Sequence, residues 1–164
     1  MKFVSHVLAA LALALVLPNA SVAAEPDTPT PSPQAQSYTP GLGEFMSAIQ
    51  VRHAKLWFAG KNKNWQLAAY ELGELKEGFA DAAKYQPEFK GQPIAKVIKP
   101  ITAPPIAQIE KAIEAKDFAG FAKAYDALSH ACSTCHQDTG HGFIVIQRPT
   151  SPPLTNQRFD IGRQ

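Results

Sequence analysis

Apolar side chains recur every three or four positions from about residue 42 to residue 135, the period of helices that bury one face. Over residues 42–59, Phe45, Met46, Ile49, His53, Leu56 and Trp57 form one broad stripe. Gly60 and the polar run from Lys61 to Asn64 read as the end of that helix, glycine being a frequent terminator. Asn64 is placed to cap a second helix over about residues 65–85, with Trp65, Ala68, Leu72, Leu75, Phe79 and Ala83 inward. Glu74, Glu77 and Asp81 take its other side, Glu71 the flank, and Leu67 falls off the stripe as an exposed leucine.

Pro87, Pro93, Pro100, Pro104 and Pro105 interrupt the next stretch, so Ile94, Val97, Ile98 and Ile101 predict a helical turn or two between prolines. A third helix follows over about residues 105–115, with proline in its first turn and Ile106, Ile109 and Ile113 buried. Lys116-Asp117 makes a tight turn, and Asp117 can cap a fourth helix. Phe118, Phe121, Tyr125, Leu128, Cys132 and Cys135 hold core spacing along it. The pattern predicts an all-α fold, a four-helix bundle with short connections and an irregular C-terminal tail.

The ends of the chain follow different rules. Residues 1–24 read as a secretory signal: Lys2, then an apolar run from Val7 to Leu17, then small residues at 22–24. Cleavage is expected before about Glu25, and the apolar run is short for a transmembrane helix. Residues 25–40 carry prolines 26, 29, 31, 33 and 40 among Thr, Ser and Gln, and read as a disordered or polyproline-like leader. That leaves a helical domain at 41–142 and a tail at 143–164.

Removal of residues 1–24 would leave 140 of the 164 residues, enough for one domain with a single core. The formal charge of the whole chain is +2, and losing Lys2 leaves 15 basic against 14 acidic residues. Nothing in this balance suggests nucleic acid, and no basic run marks an anionic membrane surface.

The chemistry is concentrated in Cys132-Ser133-Thr134-Cys135-His136, which contains the only two cysteines of the chain. C-x-x-C-H is the attachment signature of a c-type haem. Two thiols add across the two haem vinyl groups, and three-residue spacing on a helix puts both sulfurs on one side. His136 then supplies the proximal iron ligand. A thioredoxin-like pair would need a βαβ context and a helix N-terminus to lower a thiol pKa, and neither is in the pattern. A zinc site from Cys132, Cys135, His136 and His141 departs from the usual ligand spacings. A plain C-x-x-C disulfide closes a small, strained ring. One covalently held haem c therefore fits best, and export agrees with it, since haem is attached to such motifs outside the cytoplasm. The expected location is the periplasm.

With four helices and this motif near the end of the last, residues 41–140 resemble the class II c-type cytochromes, the cytochrome c prime group and its low-spin relatives. Class I cytochromes carry the motif near the N-terminus. By the resemblance, Cys132 and Cys135 map onto the thioether cysteines and His136 onto the proximal ligand. A first-helix residue would cover the other haem face, and homodimers through the first helices occur in the family. The chain departs from it in continuing beyond the motif to Gln164, with an apolar segment at 143–146 expected to cover an exposed haem edge.

The distal ligand decides the function. Met46 is the first candidate and His53, two turns along the same stripe, the second. His130 shares the helix of the motif and would not reach the far face, and His141 would arrive only if the tail folds over the haem. Met46 or His53 on the iron implies a periplasmic one-electron carrier with a partner redox protein; an open distal face implies a high-spin protein that binds nitric oxide or carbon monoxide. No distal acid–base pair suggests a peroxidase, and no Ser-His-Asp or paired-carboxylate arrangement suggests another enzyme. Trp57 and Trp65 read as core. Arg52 or Arg148 is available to a haem propionate, although most such arginines are solvated. Gly140-His141-Gly142 reads as a turn.

Overall fold

Each periodic stripe is a helix. The computed structural model describes residues 38–160, and in it α1 spans Leu42–Lys61, α2 Trp65–Tyr85, α3 Ile94–Glu114 and α4 Phe118–Asp138. The expected signal and most of the expected leader lie outside the described residues. α1 packs most extensively on α2 and α3 on α4, while α2 meets α3 and α1 meets α4 to close a four-helix bundle. The helix pairs are joined by three-residue turns, 62–64 and 115–117, which force each pair to run antiparallel.

The two turns are built alike. Lys63 and Lys116 adopt positive φ, at 57° and 53°. Each is followed by an N-cap whose side chain accepts a backbone N–H: Asn64 from Leu67 and Asp117 from Ala119. These are the caps the sequence predicts.

Gly60 has a different role from the one expected. It lies inside α1, and a β-carbon there would sit 2.2 Å from the Phe121 ring. Its small size permits close helix approach; it does not end the helix.

α3 is the larger departure. Residues 94–114 form one continuous helix with Pro100, Pro104 and Pro105 inside it, where two shorter pieces were expected. Each interior proline removes a hydrogen bond and costs about 3 kcal/mol in an isolated helix. Pro100 and Pro104 face solvent, where water can satisfy the carbonyls they orphan. Ile94, Ile98, Thr102, Ile106, Ile109 and Ile113 on the other face are buried, so one uninterrupted apolar ridge outweighs the lost bonds.

Two smaller expectations also change. Leu67 is partly buried against the core, and Ala82 is buried more fully than Ala83. Glu71 is buried at 1% exposure, where Arg52 approaches to 3.2 Å and Lys55 to 4.0 Å. A carboxylate at that depth is tolerated because cations meet it.

The core is not uniform along the bundle. At the end carrying the two short turns, Trp57, Trp65, Phe118, Phe121 and Tyr125 pack ring against ring, with Trp57 and Tyr125 centroids 5.1 Å apart. The tail reaches this end: Phe159 is buried against Phe58, and its carbonyl accepts from Asn64 Nδ2. The opposite end holds aliphatic residues around a cavity.

Candidate cofactor site

That cavity measures about 350 Å³, and its walls are overwhelmingly apolar. It lies where α1 and α3 begin and α2 and α4 end, so antiparallel packing alone gathers its wall from all four helices. α1 contributes Met46, Ile49 and His53, α2 Phe79, and α3 Ile94, Ile98, Ile101 and Thr102. The last turns of α4 contribute Cys132, Cys135 and His136.

Cys132, Cys135 and His136 of the motif and the two distal candidates, Met46 and His53, are therefore all on this one wall. Cys132 and Cys135 are free thiols. Burial pushes Cys132 up to about 12 and raises Cys135 as well. Both also sit at a helix C-terminus, where the dipole disfavours a thiolate. Dithiol oxidoreductases need the reverse, a thiol lowered by a helix N-terminus or a cation. Among the described residues no three His, Cys, Asp or Glu side chains converge as a metal-holding group, so the zinc arrangement is not formed.

His136 is held by the tail. Its Nδ1 lies 2.9 Å from the Ile144 carbonyl oxygen, which can only accept, so Nδ1 carries a proton and, in the neutral ring, Nε2 is the nitrogen with the lone pair. The His136 carbonyl accepts from the His141 N–H, and Thr139 caps the helix by donating to the Cys135 carbonyl from both N and Oγ1. Gly140, at φ 80°, makes the reversal that a side chain would resist. Gly140-His141-Gly142 is thus a turn, as expected, and it places His141 on the cavity wall.

The two distal candidates differ sharply. Met46 is half-buried, lines the cavity and makes no polar contact that fixes it. His53 is buried and both its ring nitrogens are engaged. Ser129 donates its hydroxyl to the Tyr125 carbonyl, leaving Ser129 Oγ to accept from His53 Nε2–H at 3.0 Å. Tyr125 in turn shares its single hydroxyl proton between His53 Nδ1 at 2.8 Å and the His53 carbonyl at 3.0 Å. Burial lowers the imidazole to about 4, so it is neutral. To meet a metal, His53 would have to give up the Ser129 bond and a proton. Its geometry is that of a satisfied core histidine.

His130 is exposed and off the cavity. Both arginines considered for a propionate reach solvent and are paired with carboxylates: Arg52 bridges Glu71 and Glu74, and the exposed Arg148 forms a two-pronged pair with Asp126 while stacking over Trp57.

Sequence reasoning missed the cavity wall on α3, and of the apolar tail segment at 143–146 that it singled out, half faces the cavity. The three-and-four spacing of Ile94, Ile98 and Ile101 was the available signal, obscured by the prolines. Ile144 and Ile146 line the cavity, while Phe143 and Val145 point away at 81% and 71% exposure. That alternation is visible only once the segment is known to be extended. No protein-family model, curated protein or solved structure matches this chain.

Proposed function

We propose that the chain is an exported mono-haem c-type cytochrome that carries single electrons, with haem c held through Cys132 and Cys135 and His136 as the proximal ligand. The observation that supports this best is the placement of both thiols and the imidazole of the C-x-x-C-H run on the wall of one apolar cavity. Its volume of about 350 Å³ lies within the range of small-molecule and cofactor sites, roughly 300–1,000 Å³. The donor set suits the group: two thiols able to form thioethers and a histidine whose Nε2 is bare.

Haem, when bound, supplies the one-electron couple. The chain supplies the rest. Ile49, Phe79, Ile94, Ile98 and Ile101 give the pocket an apolar wall that would shield the haem from water. Met46 is the distal ligand in this reading, because its thioether is free to turn into the cavity while His53 is held by Ser129 and Tyr125. A soft thioether favours the ferrous state and raises the potential relative to a second histidine. A helical frame that keeps its ligands through both oxidation states suits a carrier, and a partner redox protein would exchange electrons with it.

The deciding experiment is the optical spectrum of the haem-loaded protein, oxidised and reduced, with and without carbon monoxide. A low-spin spectrum indifferent to the gas, converted to a gas-binding high-spin form by Met46→Ala, is expected. A high-spin ferrous protein that takes up carbon monoxide without any substitution would instead make it a gas-binding cytochrome. Failure of Cys132→Ala and Cys135→Ala to affect haem retention would remove the reading altogether.

A further inference from the structure

The C-terminal tail does more than cover the cavity. Three contacts tie it to the cysteine-bearing turns of α4. His136 Nδ1 donates to the Ile144 carbonyl at 2.9 Å. The Ile146 N–H donates to Ser133 Oγ at 2.9 Å. The Ser133 hydroxyl is 3.0 Å from the Ser129 carbonyl and 3.3 Å from the Ile146 carbonyl, so it is anchored on its own helix while it receives the tail. Ser133 is one of the two variable positions between the cysteines, and here it is the tail's latch. Further along, Arg148 clamps to Asp126, and Phe159 seats on Phe58. The tail is thereby tied to the domain at both ends of the bundle.

Resting on the haem reading above, we propose that this strap is the positioning device for the proximal ligand: Ile144, held in place by Ser133, fixes the His136 tautomer and sets the electron donation of its Nε2 to the iron. A hydrogen bond from the far ring nitrogen to a carbonyl orients a metal-ligating imidazole and raises its basicity. A more basic ligand favours the ferric state, so the tail lowers the reduction potential. Most of the wall shapes the cavity; Ser133 and Ile144 act on the ligand that the cavity contains.

The test compares the full haem-loaded chain with Ser133→Ala, with Ser133→Thr and with a chain ending at Gly142. Ser133→Ala should move the midpoint potential upward, and truncation should move it further. A shift of about 59 mV corresponds to a tenfold change in the ferric-to-ferrous ratio for a one-electron couple. Ser133→Thr, which keeps the hydroxyl, should return it towards the parent value. Should truncation prevent folding, the two Ser133 variants carry the test alone. Nitrogen NMR of His136 in the haem-free chain gives an independent readout. The proton should reside on Nδ1 in the parent and distribute between both nitrogens in Ser133→Ala. Unchanged potentials in Ser133→Ala and in any truncated chain that folds, or a parent His136 protonated at Nε2, would overturn the role of the strap. Absence of haem attachment in the parent would instead overturn the cytochrome reading, leaving the NMR result to stand on its own.

Discussion

At the end of the bundle carrying the short turns, Trp57, Phe121 and Tyr125 interlock, Gly60 lets Phe121 press onto the α1 backbone, and Phe159 from the tail adds a further ring. At the opposite end the same four helices present Met46, Ile49, Ile98, Ile101 and two cysteines, and a cavity of about 350 Å³ lies between them. Protein interiors are close-packed, and side chains bordering an open cavity have fewer neighbours within the chain than the interlocked rings of the aromatic end. The aromatic end completes its own core; the cavity end has the composition and shape of a receptacle. The buried stability of the fold therefore lies away from the place where its chemistry is proposed.

Equivalent truncations should expose that asymmetry. Phe121→Ala removes a ring with 0% exposure and should cost about 4 kcal/mol, within the range for buried aromatics. Ile98→Ala borders the existing cavity and should cost only about 2 kcal/mol in the haem-free chain. Denaturant unfolding of both variants measures the difference. Equal costs would mean that the cavity end is as tightly packed as its counterpart.

Between the two ends sits the His53–Tyr125–Ser129 network, and it should give the bundle an acid-sensitive waist. Burial holds His53 at about 4, against an ordinary value of 6.5. Above pH 6.5 both folded and unfolded chains leave it neutral, and it adds no slope. As pH falls from about 6.5 to about 4 the unfolded chain takes up a proton that the folded one refuses. Stability should therefore drop by up to about 3 kcal/mol across that window. His53→Phe should flatten this part of the curve of unfolding free energy against pH. A slope that persists in the variant would assign the acid sensitivity to other groups.

The smallest effect belongs to the turns. Lys116 holds a left-handed conformation, at φ 53°, that costs a non-glycine residue roughly 1 kcal/mol. Lys116→Gly should stabilise the aromatic end by about 0.5 kcal/mol, after allowing for the extra freedom of glycine in the unfolded chain. A thermal melt run beside the parent reads it. A loss of stability would show that the lysine side chain contributes to the turn beyond its backbone.

Much of the frame could be read from residue order because the signals are local. Asn64 and Asp117 are caps by chemistry alone, and the stripes of α1, α2 and α4 repeat without interruption. α3 could not be read that way: three interior prolines argue against a helix residue by residue, and only the buried ridge from Ile94 to Ile113 overrides them. Gly60 misleads for a related reason. Glycine at a helix end and glycine under a neighbouring ring look the same until Phe121, far along the chain, is in place.

The site divides in the same manner. Sequence by itself determined the helical class, most of the helix boundaries and the Cys132–His136 run, because period, capping and motif spacing are properties of neighbouring residues. Tertiary structure alone decided that Met46 and Cys132 share a cavity, that His53 spends its nitrogens on Tyr125 and Ser129, and that Ile144 takes the proton side of His136. Those pairings join residues distant in sequence or depend on an extended tail without periodic signal. Contacts of that kind exist only after the chain has closed on itself.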